Sequence, residues 1–278
     1  MHTVKQLIDN ALAEDIGPGD ITTDSLVDPG LTGIAEILAK EPMVLAGLDV
    51  AIQVFQELDP DAGIETPYSD GDEVPPGHRI MTIQGCLCAL LYGERTALNF
   101  LQRLSGIATH VRSFVNAVSD CPVRLVDTRK TIPGWRVLEK YAVRVGGAMN
   151  HRMGLYDGVL IKDNHIAACG SIRAAVSRVR ENISHLVKIE VEVSTVDEIH
   201  EALHAGAEVI MLDNMKLDEI REAVAEIDHR AVVEISGNVS LEKLPELART
   251  GVDIISVGAL THQAVSVDIS MRITPTTP

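Results

Sequence analysis

The feature that most constrains this chain lies in its second half. Short β-branched runs recur there: "VRLVD", "GVLIK", "VKIEVEV", "EVIMLD", "AVVEIS" and "DIISVG". The later runs return about every 22 residues, with helical patterns such as "TVDEIHEALHAGA" and "SLEKLPELARTG" between them. In the first of these, Thr195 and Glu198 are spaced as a capping box, and the second stops at a glycine. Strands alternating with helices define βα units and a parallel sheet, so the fold class is α/β. Six units favour a barrel, complete or incomplete, and periodicity by itself leaves a doubly wound sheet open.

The first half reads differently. An amphipathic helix over 3–13 leads into a loop of turn formers, "GPGDITTDS". From about 33 to 84, strand-like "GIAEILAK", "MVLAGL" and "HRIMTIQG" surround the helical "DVAIQVFQEL", which reads as a small α+β domain. Apolar residues at 90, 91, 98, 101, 104, 107, 111 and 115 then predict two linked helices, interrupted near Ser105-Gly106. With 278 residues the chain has room for two domains, and 46% apolar residues let it bury a core.

Charge narrows the partners. A net charge of -16 repels polyanions, and 3% aromatics offers few stacking platforms, so nucleic acid is not the expected ligand. The start has no continuous apolar h-region and no run has the length of a membrane span, which predicts a soluble cytoplasmic protein. Cys86, Cys88, Cys121 and Cys169 lack a paired metal spacing and read as reduced structural thiols.

In a βα barrel the chemistry belongs at the carboxyl ends of the strands, where the loops share one mouth. The residues at those ends are Asp127-Thr128-Arg129-Lys130, Lys162-Asp163-Asn164-His165, Glu192, Asp213-Asn214, Ser236-Gly237-Asn238 and Gly258. Arg136, Lys140 and Arg144 recur at helical spacing opposite Val137, Leu138, Tyr141 and Val145, and read as a solvated face. Arg129, Lys130 and Lys162 point instead to small, multiply charged anions. His151 and Arg152 would join them if Asp157-Gly158 makes a hairpin turn; a simple loop is the alternative. Glu192 and Asp213 suit ribose hydroxyls or a hydrated Mg²⁺, or else salt bridges to those cations. Ser236, Gly237 and Gly258 come after the last two strands, where barrels commonly bind phosphate through backbone N–H groups.

These segments resemble quinolinate phosphoribosyltransferase over nearly the whole chain. The resemblance runs from "AEDIGPGDITTDS" through "ERTALNFLQRLSGIAT", "DTRKTIPGWRVLEKYAVRVGGAMNHR", "DGVLIKDNHI", "KIEVEV", "VIMLDN" and "EISGNV" to "ISVGALTH". It implies an N-terminal α/β sandwich domain with its linking helix (1–108) and an incomplete βα-barrel catalytic domain (109–278), the last residues being able to return to the first. It further implies a homodimer or higher homo-oligomer in which Arg95 enters the partner's site. Arg129, His151, Arg152 and Lys162 are assigned to the quinolinate carboxylates, and Thr128 to the same substrate-binding set. Lys130 goes to the pyrophosphate, while Glu192 and Asp213 take the ribose hydroxyls and Mg²⁺, directly or through water. Ser236, Gly237 and Gly258 go to the 5-phosphate of phosphoribosyl pyrophosphate, with Asn238 and His262 beside them. The implied catalytic residues are Lys130, Lys162, Glu192 and Asp213. Asn238 departs from the pattern, standing where many relatives have a second glycine.

Overall fold

The computed structural model describes residues 4–276. In chain order its elements are α1 (Val4–Ile16), α2 (Ile21–Leu26), β1 (Thr32–Ala39), β2 (Met43–Val44), α3 (Leu48–Leu58), β3 (Gly63–Glu65), β4 (Glu73–Val74), β5 (Arg79–Cys86) and α4 (Leu87–Ala117). Next come β6 (Arg124–Val126), α5 (Arg136–Gly146), β7 (Val159–Ile161), α6 (Asp163–Cys169), α7 (Ile172–Arg180), β8 (Ile189–Val193) and α8 (Val196–Ala205). The chain ends with β9 (Val209–Asp213), α9 (Leu217–Ile227), β10 (Val232–Ser236), α10 (Leu244–Ala248), β11 (Ile254–Ser256), α11 (Ala259–His262) and β12 (Ile269–Pro275). Two compact units emerge. One comprises the residues up to Arg112, Thr131–Gly147 and those from Gln263 onward; the other is Ser113–Lys130 with Ala148–His262.

The first unit is built on an antiparallel sheet of order β12-β1-β5-β3. Its inward face reflects the alternation of β1, where Ala35, Ile37 and Ala39 are fully buried and Glu36 on the opposite side pairs with Arg79 at 2.9 Å. β12 joins it from the end of the chain, with Ala39 opposite Ile269 and Gly33 opposite Pro275.

Three readings of this unit need correction. The loop "GPGDITTDS" contains α2, because the Asp20 carboxylate accepts the Thr22 and Thr23 N–H groups and caps a short helix. α4 is one continuous helix and does not break at Ser105-Gly106. Those small residues serve close approach instead. The Ser105 hydroxyl accepts the Ala46 N–H at 3.0 Å, and a Cβ on Gly106 would lie 2.1 Å from the Val265 carbonyl oxygen. The solvated row on α5 fails at Lys140, which is fully buried, as is neighbouring Glu139; Tyr141 of the expected apolar stripe is exposed. A polar row marks solvent only for a helix packed on one side, and buried Leu138, Glu139, Lys140, Ala142 and Val143 occupy adjoining faces of α5. Glu139 is held by Arg103 at 2.6 Å.

The second unit is a six-stranded parallel sheet of order β6-β11-β10-β9-β8-β7. Strands β7 to β11 succeed one another and β6 closes onto β11, so the order is cyclic with one gap, between β6 and β7. A doubly wound sheet would reverse direction at a switch point, and this one does not. It is an incomplete βα barrel. The Thr195–Glu198 capping box forms as spaced, the Glu198 N–H reaching Thr195 Oγ1 at 3.2 Å and the Thr195 N–H reaching Glu198 Oε2 at 3.2 Å. Asp157-Gly158 makes no hairpin among the described residues, where β7 pairs with β8 alone. Asp157 closes a compact turn instead, accepting the Met153 N–H at 2.7 Å, and the Gly158 carbonyl accepts Arg152 Nη1–H at 2.9 Å.

Candidate active site at the carboxyl ends of the parallel strands

Each strand of the second unit hands its last residues to one rim, and parallel pairing sets them side by side. Asp213 is in register with Ser236 between β9 and β10, and Glu192 with Met211 between β8 and β9. Asp127 to Lys130 come directly after β6, Lys162 after β7, and Gly258 two residues beyond β11. The polar residues read from the strand ends therefore do share an end of one barrel.

The cationic side is built first from a buried anchor. Asp127 is fully buried; its Oδ1 accepts the His151 N–H at 2.9 Å and its Oδ2 accepts the Asn150 side-chain amide at 2.7 Å. The Asn150–Arg152 segment is thereby fixed next to β6, continuing the parallel bridge between Val126 and Met149. Arg152 lies close enough to Arg129 for their charges to oppose each other. Burial first, and the Arg129 charge second, hold the Arg152 guanidinium below its ordinary value, while Glu190 works in the other direction. Arg152 is half-buried and Arg129 exposed, and paired guanidinium groups are of the type that can bind planar carboxylates.

Lys162 is the N-cap of α6, its backbone N–H donating to His165 Nδ1 at 2.9 Å, and its ammonium forms an ion pair with Glu192. Lys130 lies on the other flank. Its N–H donates to Thr128 Oγ1 at 3.1 Å, and its carbonyl accepts the buried Thr261 hydroxyl at 2.7 Å. A Cβ on Gly258 would fall 2.8 Å from Lys130 Cδ and 3.4 Å from His262 Nε2, so this glycine is what lets Lys130 and His262 approach the end of β11.

The turn after β10 has left-handed backbone at Gly237 (φ 97°) and Asn238 (φ 51°). Asparagine tolerates that conformation better than most side chains, so Asn238 fits this left-handed position. A Cβ on Gly237 would lie 2.2 Å from Asn214 Oδ1, the same oxygen that accepts Asn238 Nδ2–H at 3.0 Å. Asn214 in turn donates to Asp213 Oδ2 at 2.8 Å. Arg95, an exposed residue of α4, belongs to the first unit.

The structure also gathers residues that strand-end reasoning passed over. His151 Nε2 lies 3.1 Å from Glu190 Oε2 and 3.7 Å from Glu234 Oε1. Both carboxylates are buried, and each has an Oε1 without a hydrogen-bond partner among the described residues. Burial first, and the Glu190 charge second, push the Glu234 carboxyl up to about 7. The sequence carried a faint sign of them, acidic residues inside otherwise apolar "KIEVEV" and "VVEIS". Asp127 and Asn214 were visible at strand ends without a role.

A family model for the C-terminal domain of quinolinate phosphoribosyl transferase matches residues 107–272, and one for its N-terminal domain matches 20–105. The chain belongs to the quinolinate phosphoribosyltransferase family. It is 46% identical to a probable nicotinate-nucleotide pyrophosphorylase [carboxylating] of Bacillus subtilis over 98% of this chain and 93% of that protein. It is 39% identical to quinolinate phosphoribosyltransferase [decarboxylating] 1b of Nicotiana tabacum over 98% and 83%. Among solved structures, the nicotinate-nucleotide pyrophosphorylase from Francisella tularensis superposes with a TM-score of 0.93 at 42% identity, covering 98% of this chain and 96% of that one. NadC from Streptococcus pyogenes superposes with a TM-score of 0.95 at 40% identity, covering 99% and 97%. Among the described residues no helix is long and apolar enough to cross a membrane.

Proposed function

We propose that this chain transfers the phosphoribosyl group of phosphoribosyl pyrophosphate to the ring nitrogen of quinolinate and decarboxylates the product, giving nicotinate mononucleotide, pyrophosphate and CO₂ for de novo NAD biosynthesis. The observation that carries the reading is the convergence of Arg129 and Arg152, in which the buried Asp127, two residues before Arg129, holds the Asn150–Arg152 segment through the His151 N–H and the Asn150 amide. In a chain of net charge -16 such a pair has a specific anion to meet.

The rim residues divide the chemistry among them. Arg129 and Arg152 hold the two ring carboxylates by paired N–H bonds, with Lys162 beside them, and so fix the pyridine nitrogen against C1 of the sugar. The turn at Ser236, Gly237 and Asn238, with Gly258 and His262, holds the 5-phosphate. Glu192 and Asp213 hold the ribose hydroxyls and stabilise the positive charge that develops as the C1–O bond to pyrophosphate breaks. Lys130, with Arg95 of a second copy, takes up charge on the leaving pyrophosphate. The ring nitrogen then forms its bond to C1. Quaternised, it accepts the electron pair left when the bond from C2 to its carboxylate breaks, and C2 takes a proton from water. No protein nucleophile enters.

Glu192 and Asp213 offer hard oxygen donors on adjacent strands, the type that Mg²⁺ prefers. When bound, Mg²⁺ supplies charge neutralisation for pyrophosphate. The working unit is a homodimer or higher homo-oligomer with shared sites, in the cytoplasm. The test supplies quinolinate, phosphoribosyl pyrophosphate and Mg²⁺ and measures both nicotinate mononucleotide and CO₂. Equimolar appearance is expected; no turnover of quinolinate, or turnover of a different pyridine acid alone, would overturn the assignment.

A further inference from the structure

We propose that Glu190 and Glu234 form, with His151, a buried positioning set that locks one tautomer of the His151 ring and through it aims Arg152 at the anion site. This rests on the quinolinate reading only for what Arg152 binds. One nitrogen of the His151 ring, Nδ1, accepts the Arg152 backbone N–H at 2.7 Å. A ring nitrogen that accepts carries no proton, so the imidazole's hydrogen is on Nε2. Nε2 lies 3.1 Å from Glu190 Oε2, so that hydrogen points into the pair of buried carboxyl groups. Both ring nitrogens of His151 therefore face protein groups.

The same geometry decides what the cluster does not do. Three side chains whose ligating atoms lie within 4.8 Å of one another have the composition of a metal site. A metal on Nε2 would require the proton to move to Nδ1, straight against the Arg152 N–H. The cluster is thus satisfied by hydrogen, with Nε2–H donating to Glu190 and a carboxyl hydrogen on Glu234 serving the two orphaned oxygens. Around Glu234 stand Glu190 from β8, Met211 from β9, Ser256 from β11 and His151. This set works beside the Asp127 anchor. Asp127 holds the backbone of His151 and the side chain of Asn150, and the carboxyl pair holds the imidazole. Between them they determine the backbone at Arg152, whose guanidinium is further tied to the Gly158 carbonyl. A ring set free to turn would release the Arg152 amide, and misplacing a binding group by even one ångström is costly.

The experiment uses the full chain and has two arms. In steady-state kinetics, Glu234→Ala is expected to raise KM for quinolinate by about tenfold or more while KM for phosphoribosyl pyrophosphate changes less than about twofold. Glu234→Gln, which keeps the shape and a donor, is expected to restore KM for quinolinate to within about threefold of the unsubstituted chain. Equal effects on both substrates, or no rescue by Gln, overturn the proposal; if Glu234→Ala does not fold, Glu190→Ala takes its place. The second arm is ¹⁵N NMR of histidine-labelled protein, with His151 assigned by its loss in His151→Gln. A persistent Nε2–H tautomer at neutral pH is expected, and an Nδ1–H tautomer overturns the proposal. If the unsubstituted chain does not turn over quinolinate, the functional reading fails and the NMR arm alone decides the inference.

Discussion

Burial first, and the Arg129 charge second, lower the Arg152 guanidinium from its ordinary value, so an anion held between the two would offset their repulsion. Arg129→Ala is expected to weaken quinolinate binding by about 2–5 kcal/mol by calorimetry, with little change in Tm; unchanged affinity would remove Arg129 from the site. Glu234 sets a stability signature of its own. Its folded-state proton affinity, about 7, lies above the ordinary 4.5, so the folded chain binds the extra proton in that window. The contribution is fully present below about 4.5 and is lost as pH rises through about 7, amounting to up to about 3 kcal/mol. Tm of the unsubstituted chain should fall between pH 5 and about 8 relative to Glu234→Gln, which cannot ionise. Parallel pH curves for the two proteins would contradict this.

At the scale of elements, most of the architecture was legible because it depends on local periodicity. The β-branched runs of the second half are strands β6 to β11, and the capping box at Thr195 starts α8. The features that local spacing hides depend on neighbours far along the chain. Ser105-Gly106 reads locally as a helix break, yet it lies inside α4 because Ala46 and Val265 need room against it. Gly106→Ala should cost about 1–3 kcal/mol by urea unfolding, since its Cβ would meet the Val265 carbonyl at 2.1 Å. No loss of stability would show that α4 and the Val265 segment separate freely. Lys140 was hidden for the same reason: whether a helix face meets solvent is set by what packs on it, and Glu139 is drawn inward by Arg103, 36 positions away in sequence.

At the scale of the whole molecule, Arg95 is the test of assembly. It is exposed on α4 of the first unit, and its proposed work is in another copy's site. Mixing an Arg95→Ala chain with a Lys130→Ala chain should restore part of the activity, because one site of each mixed dimer then carries both defects and the other neither. Heterodimers that form and remain inactive would place each site within one chain. The sequence by itself determined the alternation of strands and helices and which strand ends carry charge, since these depend on spacing and residue type. Only the tertiary structure decided that β12 returns to pair with β1, that the sheet's order is cyclic with one gap, and that Asp127, His151, Glu190 and Glu234 meet behind Arg152. Those outcomes depend on register and burial between residues distant in the chain, and a charge inside an apolar run discloses its partner only when another strand is laid beside it.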